Sequence, residues 1–317
     1  MRRWIWIAIV VVIAVAAYVM IGDVNEVADR LSAFHWPVFA AAIGLACVNY
    51  VIRFVRWQLY LHWQEVRVPV RSSALVFGAG LSLSITPAKL GELVKSYLLR
   101  ELHDVPPART APIVVAERVS DLIALLALSV IGVAAYGMQS AFVIAAAALV
   151  ALGLVLLAWP APTRMIIDLV TTPKFARKYR PALHEVYAGL VGLCRPVRLV
   201  TSTAIALPAW GAECLGFALI VRGFPGADVA FGLAIVIYAA TTIAGALSFL
   251  PGGLGVTEGT MTVLLVRSAT GVDHATALDA TLLTRLATLW FAVLLGLILL
   301  AIARGQIAKR CRPRSAE

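Results

Sequence analysis

Apolar runs about as long as a bilayer is thick recur along the whole chain, and this feature removes most folds from consideration. A membrane-crossing helix needs about 20 mostly apolar residues. Such stretches lie near 4–21, 36–57, 110–136, 139–159, 197–222 and 276–302. Hydrocarbon offers no water to the backbone N–H and C=O groups, so segments of this kind must be helical. Composition agrees: 61% of the 317 residues are hydrophobic and 14% are charged, against roughly 25% charged in soluble proteins. Mean hydropathy is +0.91. A soluble domain, a disordered tail and a nucleic-acid binder are excluded as classes. The expected fold is all-α integral membrane, with residues 1–317 forming a single transmembrane domain. Trp4–Ile21 follows Met1-Arg2-Arg3 with no small-residue cleavage site after it, which predicts a retained helix.

Two further apolar stretches are broken. Residues 73–86 run into Thr86-Pro87 and then a short mixed helix, 88–101. Residues 229–250 run into Leu250-Pro251-Gly252-Gly253 and then another short helix, 255–267. Proline and glycine interrupt a helix, and broken helices are tolerated at membrane depth where they line an enclosed cavity. Both stretches therefore read as re-entrant helical hairpins; the alternative is that each crosses fully. Loop charge supports the hairpins. With six transmembrane helices and neither hairpin crossing, the loops at 137–138, 223–228 and 268–275, poor in Lys and Arg, fall outside. The stretch 160–196, with Arg164, Lys174, Arg177, Lys178, Arg180 and Arg195, becomes a cytoplasmic amphipathic, basic linker. That agrees with the excess of Lys and Arg expected on the cytoplasmic side. The expected location is a bacterial inner (plasma) membrane, multi-pass, with both termini cytoplasmic. The net charge of +10 is then a matter of topology and anionic lipid.

The two broken stretches resemble each other. Leu83-Ser84-Ile85-Thr86-Pro87-Ala88-Lys89-Leu90-Gly91 and Leu247-Ser248-Phe249-Leu250-Pro251-Gly252-Gly253-Leu254-Gly255 share Leu, Ser, Pro, Leu and Gly at a constant offset of 164. The same offset pairs Asn49 with Glu213, and after a three-residue gap Arg118 pairs with Arg285. Each unit reads span, hairpin, span: repeat one about 36–136, repeat two about 197–302. The first hairpin enters from the cytoplasm and the second from outside, so the repeat is inverted. Inverted repeats with broken helices imply a transport site near the membrane midplane.

Charges within spans are costly and mark candidate sites. Arg118 and Arg285 sit about eight residues into their helices from opposite faces, on the order of 10 Å deep. A guanidinium fork suits a phosphate. Asp121 lies three residues from Arg118 on the same helix face and is a candidate partner; Glu258 and Glu213 are candidates for Arg285. In the first hairpin, Thr86 as N-cap and Pro87 at the first helical position predict free N–H groups facing an anion. Lys89, Glu92 and Ser96 share a face with Lys95 close by, which an interfacial helix with solvated charges would also show. Pro251 breaks the second hairpin; Gly91 of the first, and Gly252, Gly253 and Gly255 of the second, are candidate site residues where glycine permits close backbone approach. Asn49, Arg53 and Arg56 form one stripe. Both arginines are candidate substrate-binding residues; the alternative is that, near the cytoplasmic end of their span, they reach for the interface. Glu117 and Asp121 form a carboxylate pair with Arg118 between them. The four cysteines and five histidines show no ligand spacing, so neither a metal nor another cofactor is expected. No GxSxG, HExxH or Walker pattern marks a catalytic residue.

Three motifs together are similar to those of one family: Ser84 to Tyr97, Glu117-Arg118-Val119-Ser120-Asp121, and Pro251 to Gly259. They resemble the transmembrane region of lysylphosphatidylglycerol synthase/flippase proteins, over about residues 5–305. The resemblance implies movement of aminoacylated phosphatidylglycerol or related lipids between leaflets. The family's synthase carries a soluble aminoacyl-transferase domain after the membrane region, whereas this sequence ends at Glu317. It therefore implies the flippase-like part and not the synthase. The expected partner is a membrane lipid with an anionic or zwitterionic phosphate headgroup, or a polyprenyl-phosphate-linked lipid. Lys89, Arg118 and Arg285 would hold phosphate. Glu92, Glu213 and Glu258 would take a cationic headgroup or a proton. Two rivals stand beside this reading: a membrane enzyme using a lipid-linked donor, glycosyltransferase-like, and a non-catalytic partner of a lipid-synthesising enzyme. A homo-oligomer is left open.

Overall fold

The structure is a computed structural model, which describes residues 24–136, 160–173 and 180–311 with the isolated positions 144, 148, 151 and 177. The expected spans at 4–21 and 139–159 lie outside the described residues. A short helix α1 (Val24–Ala33) precedes α2 (Trp36–Trp63). The first broken stretch is α3 (Val70–Leu81), a 3-10 segment Pro87–Leu93 and α4 (Val94–His103), followed by α5 (Pro107–Tyr136). The linker holds α6 (Pro160–Val170) and α7 (Arg180–Leu193). Then come α8 (Pro196–Arg222), α9 (Phe231–Leu247), a 3-10 turn Pro251–Gly253, α10 (Val256–Ser268), α11 (His274–Arg285), a π-helical turn Leu286–Trp290 and α12 (Phe291–Cys311).

The chain's punctuation sets these boundaries. Proline occupies the first turn of both α2 and α8, where its missing N–H costs nothing. α2 ends at Gln64 and a left-handed Glu65. Asp273 caps α11 by accepting the Thr276 N–H at 2.8 Å. The Thr276 hydrogen bonds hold its carboxyl below the usual carboxylate range. Three helical stretches among the described residues are long and apolar enough to cross a membrane: Trp36–Trp63, Pro196–Arg222 and His274–Ala308. At 28 residues, α2 extends about 42 Å. By contrast α3 has 12 residues and α9 has 17, about 18 and 26 Å at a helical rise. Both fall short of a hydrocarbon core of roughly 30 Å.

The last span, expected over 276–302, lies within the helical stretch His274–Ala308, and a π turn at 286–290 follows directly on Arg285. Such turns insert one residue into the helical ladder and often accompany functional sites. The helix expected at 88–101 begins as 3-10 structure and becomes α-helical only at Val94.

Packing crosses between the two halves of the chain. α2 lies along α8, α9 packs on α5, and α3 packs on α12. The two proline tips, Pro87–Leu93 and Pro251–Gly253, touch each other. Each hairpin thus rests its first arm on the last helix of the other half. The α3–α12 contact depends on small residues: a side chain at Gly296 would collide with the Ser82 backbone, and one at Gly78 with Leu299. Gly296→Val should therefore cost about 2–3 kcal/mol, because the obstacle is backbone that cannot move aside. A thermal-melt series including Gly305→Val, where nothing lies within 4 Å, checks this; equal losses at both positions would contradict it.

Candidate functional site: a charged cavity between the hairpin tips

The crossed packing leaves a cavity of about 270 Å³ lined from both halves of the chain. α2 contributes Tyr50 and Arg53, the first tip Ser84 and Thr86, and α5 Arg118 and Asp121. From the other half come Trp210 and Glu213 of α8, Tyr238 of α9, Gly252 and Gly253 of the second tip, and Arg285 and Thr288. Leu122, Leu125, Leu247 and Leu289 supply apolar wall.

The first half holds a dense ion-pair network. Arg53 Nη2 stands 3.6 Å from Glu92 Oε1. Lys95 Nζ donates to Glu92 at 3.1 Å and also to Glu117. It lies 4.6 Å from the Trp57 ring centroid and 5.5 Å from that of Phe77. Arg56 donates to Asp121 at 2.7 Å and to the Ser120 hydroxyl at 3.1 Å. Arg118 Nη2 is 3.1 Å from Asp121 and 3.5 Å from Glu92, and Trp210 Nε1 donates to Asp121 at 3.1 Å. The expected Arg118–Asp121 pair is thus present, and the network around it was not foreseen.

These positions remove two alternatives. Arg53 and Arg56 do not reach for the interface: they are 4% and 0% exposed and ion-paired. α2 continues to Trp63, which places both about two turns deeper than a helix ending at 57 would. The charges of the first hairpin are not solvated either, since Glu92 and Lys95 are each 1% exposed. The side chain of Lys89 lies outside the described residues. Thr86 is the N-cap and Pro87 begins the 3-10 turn, and the Thr86 hydroxyl accepts the Gly91 N–H at 2.7 Å.

The second half is sparser. Arg285 Nε donates to Glu258 at 2.7 Å, and its Nη2 donates to the Gly252 carbonyl. Glu258 also accepts the Gly255 N–H at 2.7 Å. Of its two sequence candidates, Glu258 is thus a partner of Arg285. Gly252, Gly253 and Gly255 have φ of 62°, 67° and 84°, a region glycine enters without steric cost. Phe249, at φ 55°, enters it as a bulky residue and is 67% exposed. Glu213 accepts the Tyr238 hydroxyl at 2.6 Å. Its repeat counterpart Asn49 donates to the Ala209 carbonyl of α8 at 2.9 Å. Tyr50 donates to the Thr288 carbonyl at 2.8 Å, at the π turn.

Sequence reasoning did not find Trp57, Trp210, Tyr50 or Tyr238. A helical-face signal existed for two of them: Trp210 is three residues before Glu213 and Trp57 four after Arg53, spacings that share a face. Tyr238 had no such signal. Among the described residues, no three His, Cys, Asp or Glu side chains converge as a metal would require.

Crossing helices around a cavity lined from both halves of the chain, with charged side chains set in a largely apolar wall, define a multi-pass membrane protein. The chain belongs to the lysylphosphatidylglycerol synthase transmembrane-region family, whose sequence model matches residues 5–296. It is 24% identical over 311 residues to a UPF0104 membrane protein of Methanothermobacter thermautotrophicus, covering 90% of this chain and 91% of that protein. A UPF0104 membrane protein of Pyrococcus horikoshii is 26% identical over 295 residues, covering 81% and 84%.

Proposed function

We infer that the protein is a lipid translocase, moving a phosphate-bearing lipid between leaflets without chemical change. The observation that carries this reading is the cavity itself, built jointly by two proline-broken hairpin tips that meet inside the protein. The hairpin arms too short to cross and the exchanged packing of the two halves support six spans, two re-entrant hairpins and an inverted repeat over 36–136 and 197–302. Alternating access in such repeats rocks one unit against the other around a fixed site. The headgroup occupies the cavity while the acyl chains stay in lipid beside the exposed Phe249 and Leu250. Phosphate is met by arginine, and Glu213 with Tyr238 provides an acceptor for a cationic group. Both termini are cytoplasmic, in the plasma membrane. A lipid-synthesising enzyme would supply the substrate.

The test is reconstitution in liposomes carrying fluorescent phosphatidylglycerol or phosphatidylethanolamine, with dithionite quenching of the outer leaflet. Wild type should expose inner-leaflet lipid well above protein-free vesicles. An Arg53→Gln/Arg118→Gln variant should lose at least tenfold of that rate. No transport of either lipid by folded wild type would sink the reading.

A further inference from the structure

The network around Arg53 does not balance. Among the described residues, four buried or half-buried cations (Arg53, Arg56, Lys95 and Arg118) contact three carboxylates (Glu92, Glu117 and Asp121). At contact range that is one more cation than carboxylate; Glu213, on the far wall of the same cavity, acts on Arg53 only through space and is hydrogen-bonded to Tyr238. A net charge at this depth is costly unless something opposes it. The surplus is also localised. Arg56 and Lys95 each hold short hydrogen bonds to carboxylates. Arg53 holds its carboxylate at only 3.6 Å, and its Nε and Nη2 have no hydrogen-bond partner although its side chain is 5% exposed. Arg118 Nε and Nη2 are likewise without hydrogen bonds, despite standing within ion-pair distance of two carboxylates. Both of these arginines line the cavity; Arg56 and Lys95 do not. By contrast Arg285, on the other side, has Nε and Nη2 committed to Glu258 and Gly252.

We propose that Arg53 and Arg118 form a binding site for a single monoanionic phosphate, whose charge completes the buried network. Buried guanidinium donors without a hydrogen-bond partner recover the cost of their desolvation when an oxyanion arrives. The site is one-sided: phosphate docks against the first half of the chain, and Arg285 acts as a latch on the second hairpin rather than as a second phosphate ligand. The proposal deepens the translocase reading and rests on it for the claim that the phosphate belongs to a lipid; the same chemistry would hold a free phosphate ester.

The charge balance gives a test that a purely structural role would fail. Dissociation constants are measured by calorimetry on the full-length protein in neutral detergent at fixed salt. The probes are dihexanoyl phosphatidylglycerol, its monoanionic headgroup diester glycerophosphoglycerol, and dihexanoylglycerol. Wild type should bind the phosphatidylglycerol and ignore the phosphate-free diglyceride. Arg53→Gln should weaken binding tenfold or more, and Arg53→Lys less than Arg53→Gln. Glu92→Gln removes a negative charge, so it should tighten binding at least threefold. If Glu92 and Arg53 only shape the fold, both Gln variants weaken binding together, and that result overturns the proposal. So does unchanged affinity in Arg53→Gln, and so does the absence of binding by both phosphate probes. Should glycerophosphoglycerol bind while the lipid does not, the anion site stands and the lipid source fails. If Arg53→Gln leaves both affinity and liposome transport unchanged, the site fails and the translocase reading survives.

Discussion

Lys95→Met should destabilise the protein by about 3–5 kcal/mol, the cost of stranding a buried charge when its partner is removed. Lys95 is 1% exposed, and its ammonium is shared between Glu92 and Glu117 against the Trp57 ring. Removing it leaves Glu117, at 0% exposure, without the one cation that contacts it among the described residues. Adding Glu117→Leu removes the stranded carboxylate and should restore most of the loss, because an apolar pair of similar volume replaces a buried ion pair at little cost. Melting temperature or urea-induced unfolding in detergent, measured on both singles and the double, gives the coupling. Additive losses would show that the two side chains act independently, contrary to the short contact between them. The double variant keeps Arg53, Arg118 and Glu92 and removes one charge of each sign. It should therefore bind phosphate lipid with nearly wild-type affinity.

Arg285→Gln should separate binding from transport. Its guanidinium joins α11 to the second hairpin at two points, the Gly252 carbonyl and Glu258. It lies directly before the π turn. Loss of charge-assisted hydrogen bonds to partly buried partners costs about 2–3 kcal/mol, taken from the hold on a tip already in left-handed backbone at Gly252 and Gly253. The tip then samples open positions. Labelling of Phe249→Cys by a membrane-permeant maleimide should accelerate severalfold in the Arg285→Gln background. Liposome transport should fall at least tenfold while lipid affinity stays within about threefold. A parallel fall in affinity and transport would instead make Arg285 a direct phosphate ligand, as the repeat pairing with Arg118 suggests.

The sequence alone determined that the chain is an α-helical membrane protein, because apolar length and backbone hydrogen bonding admit no other solution in lipid. It located both breaks, since proline and glycine act on their own local backbone wherever the chain goes. It found Arg118 beside Asp121, because three residues is one helical turn. Tertiary structure decided what is not local. The ion pairs Arg53–Glu92, Arg56–Asp121 and Lys95–Glu117 span 22 to 65 positions. A periodicity cannot say which helix faces which. Arg53 and Arg56 looked like interfacial arginines because their depth depends on how far α2 runs past them and on what packs around it. The repeat made Arg118 and Arg285 look equivalent. Packing left Arg118 Nε and Nη2 without hydrogen bonds and tied Arg285 to Glu258 and the Gly252 carbonyl, because hydrogen-bond partners are assigned by the folded neighbourhood and not by position in the repeat.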